Sequence, residues 1–401
     1  MPPMTESAAG TRGFEPGLIE NLLLTGSPIM RSVARHAKAH RLQILLSELT
    51  PAQRSGRRPG VRTAGFRVDA EYFYPASTIK LCAAIAALGH LSEMRRSQPE
   101  AAHLTAQSPM TVEPCFNDQS RQSHDPTNLA PGPSRGALTV AHEIRKIMLV
   151  SDNPAFNNLY GLVGHRDINE RMWRAGLHSV RINHRLDEVR TLDENRRTPQ
   201  IRFETGDKTC AASPARSSDL HVSANDQPGI LIGDRHRSSA GKLITRPLSF
   251  AHKNRISLTD LHALLIALLR PALAPSIQLN LCASERALLL HAMTQFPKDS
   301  PNPRYDSETY PDAYAKYLVP GLRRVLDADR LSVTNKVGQA WGFTLENACV
   351  HDDYSDRSFF LTAAIYTNAS GTLGTDQYDY DSVALPFMAD LGEAAARLLW
   401  C

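Results

Sequence analysis

Residues 81–91 read LCAAIAALGHL, an almost wholly apolar run with no polar face. A helix that is hydrophobic all round has to be enclosed by other elements, so the rest of the chain must be arranged around this one. Immediately ahead of it stands YFYPASTIK (72–80), in which Pro75 and Ala76 lead into the helix and Ser77 and Lys80 lie three residues apart. Residues at that spacing share a helical face, which points the hydroxyl and the amine into the same space. A nucleophile with a base beside it, anchored on a buried helix, is the reading these residues invite.

Taken in order, the chain alternates strongly patterned segments with polar connections. Residues 1–15 read as a flexible tail. Helical spacing runs over 16–41, with a Gly-Ser-Pro break at 26–28, and 42–49 (LQILLSEL) and 61–69 read as strands. The helix beginning at Ser77 continues to about Arg95, and 96–137 is a long irregular connection. Helices follow at 139–149, with Thr139 as N-cap, then from Pro154 to 164 and over 168–175. Residues 178–256 are polar and broken. Residues 258–269 form an apolar helix ended by Pro271, and 284–296 form another, capped by Ser284 with Glu285 in its first turn. Strands are expected at 331–336, 340–348 and 358–367, and an amphipathic helix at 388–399.

This order predicts an α/β (α+β) fold, an antiparallel sheet flanked by N- and C-terminal helices with a helical subdomain inserted. The expected division is one domain over 16–401. Its α/β layer comes from 16–75 and 277–401, and its helical subdomain from 76–276 with an irregular insertion at about 200–256.

The 401 residues include 45 basic and 41 acidic side chains, and this near balance, with no long Lys/Arg run, argues against a nucleic-acid binder. The basic stretch 54–62 reads as solvated surface. No apolar run reaches the ~18–20 residues that span a bilayer. The first residues show no secretory pattern, so either the protein is cytosolic or a leader was removed or lies upstream. The six cysteines show no metal spacing, and no metal or cofactor is implied. Cys82, Cys282 and Cys349 read as small core residues, while Cys115 and Cys210 stand in polar loops and are open to pairing.

Three short motifs occur in order: Ser77-Thr78-Ile79-Lys80, Ser151-Asp152-Asn153 and Lys336-Val337-Gly338. Each alone has a plain structural reading. Lys80 can snorkel from a helix end, Asn153 can cap a helix, and Lys336 can be an exposed strand cation. Together they fall at a helix start, an inter-helix loop and a strand in a three-strand run.

YFYPASTIKL, SDNPAFNNLYGLVG, and NKVGQAWGF followed by FFLTAAIYTN resemble the β-lactamase-like serine hydrolases, which include class A β-lactamases and penicillin-binding proteins. LITRPLSFAHKNRISLTDL and DQYDYDSVALPFMADLG are similar to a branch with a long insertion. The resemblance spans roughly residues 16–400 and implies both the fold and the site. Ser77 is then the nucleophile and Lys80 its base, competent only when neutral. Burial, the positive end of the helix and Lys336 all favour the neutral form. Ser151 relays a proton between Lys80 and the leaving group. Asn153 binds the substrate amide and orients Lys80, and Lys336 fixes Ser151 and attracts an anionic group. Gly338 lets a substrate backbone lie against the strand. The N–H groups of Ser77 and Gln339 form the oxyanion hole, each donor typically worth about 3 kcal/mol.

The family pattern breaks after His184-Arg185-Leu186-Asp187, which resembles the start of the loop carrying the deacylating glutamate. Counting forward from Arg185 puts that position at Asp187, and counting back from Leu192 puts it at Val189. Asp187, Glu188 and Glu194 can substitute only in a refolded loop, so efficient β-lactam deacylation is not expected. No arginine lies between Gly338 and Tyr354 to hold a β-lactam carboxylate. Residues 200–256 are expected to reshape the cleft.

The expected function is therefore acyl-enzyme formation at Ser77 on an amide or ester, small molecule or peptide. The alternatives are a D,D-peptidase, a weak β-lactamase, or a catalytically silent binding protein. The resemblance implies a periplasmic or extracytoplasmic location.

Overall fold

The computed structural model describes residues 14–50, 60–205 and 208–400. Most of the expected tail at 1–15, most of the basic stretch at 54–62, and Cys401 lie outside the described residues. Five strands form one antiparallel sheet: β1 (Gln43–Thr50), β2 (Gly60–Phe66), β3 (Leu331–Ala340), β4 (Phe343–Asp352) and β5 (Arg357–Tyr366). Their order is β3-β4-β5-β1-β2. The third strand runs past its expected end at 336. Trp341 (φ 57°) and Gly342 (φ 84°) make a two-residue turn with both residues at positive φ, the form whose twist matches the flanking strands. Lys336 and Gly338 therefore sit inside a strand.

Side chains alternate between two apolar layers, as strand geometry requires. Ile44 and Leu46, with Val333 and Val337, face α1 (Leu18–Thr25), α2 (Pro28–Arg35) and α9 (Leu385–Trp400). Leu45, Leu345 and Phe360 face the opposite layer, which contains α3 (Lys80–Ser97). Residues 81–88 are each at most 2% exposed, as a helix without a polar face demands. α4 (Val140–Val150), α5 (Asn153–Val163) and α6 (His165–Arg174) enclose it.

α7 (Leu258–Leu269) falls in the stretch assigned from sequence to the helical subdomain, yet it packs on the sheet. His262 is hydrogen-bonded to Ser47 Oγ at 2.7 Å and Thr362 Oγ1 at 2.8 Å, and Asn347 donates to the Leu261 carbonyl at 3.0 Å. α8 (Ala283–Thr294) is capped by Cys282, with Glu285 accepting from the Cys282 N–H at 3.0 Å. Cys282 is therefore an exposed capping residue and not a core one, and Ser284 is inside the helix. Cys82 and Cys349 are buried, and Cys115 and Cys210 are free thiols.

The polar stretches hold short ribbons that have no periodicity to read. Ile201–Thr205 pairs with Lys208–Ser213 and with Met110–Val112. Arg235–Arg237 pairs with Leu243–Ile244 and lies parallel to Thr372–Leu373, which ties the insertion to the chain beyond β5. Among the described residues no helix is long and apolar enough to cross a membrane.

Candidate active site

Ser77 sits on a tight 3-10 turn, Ala76–Ile79, that runs directly into α3. Residues i and i+3 eclipse in such a turn, which puts Lys80 on the same side of the chain as Ser77. Ala76 has φ 47°, a left-handed conformation that disfavours larger side chains. The Pro75 carbonyl accepts both the Thr78 N–H at 3.0 Å and the Thr78 hydroxyl at 2.7 Å. β3 presses on this turn. A Cβ on Gly338 would stand 2.6 Å from the Pro75 carbonyl oxygen and 3.0 Å from the Ser77 nitrogen, so only glycine lets the strand approach Ser77 this closely.

Lys80 is fully buried. Its ammonium donates to Asn153 Oδ1 at 2.6 Å, to Ser151 Oγ at 3.3 Å and to the Ser151 carbonyl oxygen. Ser151 ends α4 in a left-handed conformation (φ 61°), which turns its hydroxyl into the site. Asp152 is the N-cap of α5, accepting from the Ala155 N–H at 2.7 Å, which frees Asn153 to hold Lys80. Lys336 Nζ donates to Ser151 Oγ at 2.9 Å and to the Val337 carbonyl at 2.9 Å. The Ser151 hydroxyl oxygen thus lies between two lysines.

Burial, and then repulsion from Lys336, hold Lys80 well below the ordinary lysine range, while Asp152 and Asp187 pull the other way. Burial lowers Lys336 to about 7, with Glu346 opposing the change and Lys316 adding to it. Two ammonium groups sharing one acceptor in an apolar setting favour losing a proton from one of them.

Ser77, Asn153 and Gln339 line a cleft of about 860 Å³. One wall is the loop after His184, whose ring stacks on Tyr74 with centroids 6.2 Å apart. Asn157 clamps this loop at Leu186, and Asn195 clamps it at Arg185, Arg190 and Thr191. The three candidate carboxylates separate clearly. Glu188 accepts from Arg190 at 2.8 Å and from Gln119 at 3.0 Å, and Glu194 caps the turn at Thr191. Asp187 lines the cleft, as Glu188 does, and of the three it is Asp187 whose charge acts on Lys80. Val189, the other counted position, is 86% exposed at the rim.

Trp341, Tyr378 and Lys253 also line the cleft. Lys253 Nζ stands 5.5 Å from the Trp341 ring centroid and makes no ion pair among the described residues. Its carbonyl accepts from Asn225 at 3.0 Å, and Asn254 beside it accepts from the N–H groups of Asn183 and His184. Burial lowers the Lys253 pKa. Sequence reasoning missed this residue because it lies in a stretch read as polar and broken.

Residues 63–222 match the model of the Beta-lactamase enzyme family. No curated protein matches the chain. Among solved structures, the β-lactamase from Desulfarculus baarsii DSM 2075 is 15% identical with a TM-score of 0.50, covering 97% of this chain and 100% of that one. A β-lactamase from Xanthomonas campestris pv. campestris is 17% identical with a TM-score of 0.47, covering 92% and 98%. The chromosome-encoded β-lactamase of Vibrio parahaemolyticus is 13% identical with a TM-score of 0.48, covering 92% and 97%. The mixed helix and antiparallel sheet architecture is the fold shared with the D. baarsii protein, and the resemblance read from the motifs is to the same family whose model matches over 63–222.

Proposed function

We propose that this chain, β-lactamase-like in fold and in its matched segment, is a serine hydrolase that forms an acyl-enzyme at Ser77 on an amide or ester. The observation that carries the reading is the position of Ser151 Oγ, 3.3 Å from Lys80 Nζ and 2.9 Å from Lys336 Nζ. Neutral Lys80 takes the proton from Ser77 as Oγ bonds to the substrate carbonyl carbon. The oxyanion accepts hydrogen bonds from the N–H groups of Ser77 and Gln339. Lys80 then returns the proton through Ser151 to the leaving nitrogen or oxygen, whose bond to the carbonyl carbon breaks. With both lysines directed at the Ser151 oxygen, its hydroxyl hydrogen is free to go to that leaving group.

Deacylation is the slow half of this reaction. Of the carboxylates lining the cleft, Asp187 is the one whose charge acts on Lys80, and it is one methylene shorter than the family's glutamate. Lys253 supplies the cation that the strand after Gly338 lacks, so an anionic substrate group falls to the Trp341 side of the cleft. An extracytoplasmic location accompanies the reading, and fractionation of cells carrying the intact gene tests it.

Intact-protein mass spectrometry with a fluorescent penicillin and a fluorophosphonate tests the function. The expected result is one added acyl group, absent in Ser77→Ala, that stays attached for hours. Rapid nitrocefin turnover would instead indicate an efficient β-lactamase. No labelling by any acyl donor would indicate a binding protein without the chemistry.

A further inference from the structure

Behind Lys336, on the other face of the sheet, lies a set of charges that the proposed reaction does not touch. Lys316, Asn335 and Glu346 are each at most 2% exposed. The Lys316 ammonium donates to the carbonyls of Met293 at 2.7 Å and Val333 at 2.6 Å, and to Asn335 Oδ1 at 2.8 Å. The Asn335 amide nitrogen donates to the Ala315 carbonyl at 2.8 Å and to Glu346 Oε1 at 2.7 Å. Glu346 Oε2 accepts the Tyr317 N–H at 2.8 Å. A single amide side chain thus separates the Lys316 amine from the Glu346 carboxyl group. Burial lowers Lys316 to about 7 and raises Glu346 to about 7, each opposing the other's shift, so both groups titrate in the same range as Lys336.

Such an arrangement is an expensive way to hold a fold together. Removing two charges from water costs several kcal/mol per ion, and apolar replacements of buried pairs are often neutral or stabilising. The surrounding layer is apolar, with Ala315, Leu318, Val333 and Val337 packed in it. A stabilising role alone does not account for charges retained there.

Their placement relative to the site does. Asn335 and Lys336 are consecutive on β3 and so point to opposite faces, and Glu346 pairs with Val337 across the sheet. Glu346 attracts the positive charge on Lys336 and Lys316 repels it. On the site's side, Lys80 on α3 faces Lys336, and Asp152 between α4 and α5 and Asp187 on the loop after His184 act on Lys80. Lys253, Arg185, Arg190, Glu188 and Asp376 also line the cleft. We propose that Lys316, Asn335 and Glu346 are positioning residues for Lys336: Glu346 is the counter-charge that keeps Lys336 protonated beside Lys80, and Lys316, spaced by Asn335, trims that effect.

The inference rests on the acylation reading, in which Lys80 must be neutral and Lys336 charged. Those two requirements produce a bell-shaped pH profile whose alkaline limb belongs to Lys336. The test is the pH dependence of the acylation rate in wild type, Glu346→Gln, Lys316→Met and the double variant. Glu346→Gln is expected to move the alkaline limb down by about one pH unit and Lys316→Met to move it up, with the double variant between them. General loosening of the site would move both limbs the same way. Shifts in the same direction, or no shift, overturn the proposal. Should Glu346→Gln fail to fold, an unmoved limb in Lys316→Met is sufficient to overturn it.

A parallel NMR titration of Ser77→Ala protein with 13Cε-labelled lysine follows the Lys336 resonance directly, identified by its loss in Lys336→Met. Opposed shifts of that resonance without acylation of wild type would retain the positioning network and discard the chemistry. Acylation of wild type with an unmoved resonance would do the reverse.

Discussion

Ser151 accepts from both Lys80 and Lys336, so each lysine can be removed and the consequence read separately. Lys80→Arg, which keeps a permanent charge, is expected to slow acylation by about 10²- to 10⁴-fold, the usual worth of a positioned general base. A change in stability without that loss would place the base elsewhere. Lys253→Ala is expected to abolish any preference for carboxylate-bearing acyl donors over their neutral esters, while leaving the neutral donors acylating at the wild-type rate. Retained preference would leave the anionic group to Lys336. The three motifs made Ser77, Lys80, Ser151, Asn153 and Lys336 legible in the sequence because each is a short, local pattern. Lys253, Lys316 and Glu346 were not legible. Their meaning depends on what lies across a cleft or a sheet, although a glutamate inside an apolar strand (TLENACV) was a visible oddity at Glu346.

At the scale of elements, β3 and the turn that carries Ser77 act as one piece. Gly338→Ala would put a methyl carbon 2.6 Å from the Pro75 carbonyl oxygen. It is expected to cost about 1–3 kcal/mol as an overpacked site. Its larger effect falls on acylation, because the methyl displaces the turn that holds Ser77. Urea unfolding and labelling rates measured on the same preparation check both parts, and unchanged labelling would contradict the tight fit. The long elements were legible because eight or more residues carry a period. The end of β3 was not, since it is fixed by the positive-φ turn at Trp341 and Gly342. The ribbons within 201–249 are two to six residues long, and where they join the rest of the chain they do so through partners distant in sequence, as with Arg235 and Thr372 or Ile201 and Val112. No local pattern encodes that.

Across the whole molecule, burial keeps several histidines neutral. His90, His142, His165 and His262 are lowered to about 4, and His184 to about 3, in each case chiefly by burial. An unfolded histidine titrates near 6.5, so below that pH the unfolded state binds more protons and stability falls as pH drops toward 4. Each such histidine contributes at most about 1.4 kcal/mol per pH unit in that window. Urea midpoints are expected to fall between pH 7 and pH 5, and His262→Gln, which retains hydrogen-bonding atoms, is expected to reduce the slope. A flat dependence would contradict the buried-histidine account. The central claim is the chemistry at Ser77, and intact mass after exposure to a fluorescent penicillin measures it most directly. The account predicts one persistent acyl adduct on wild type and none on Ser77→Ala. An equal adduct on both proteins would contradict it.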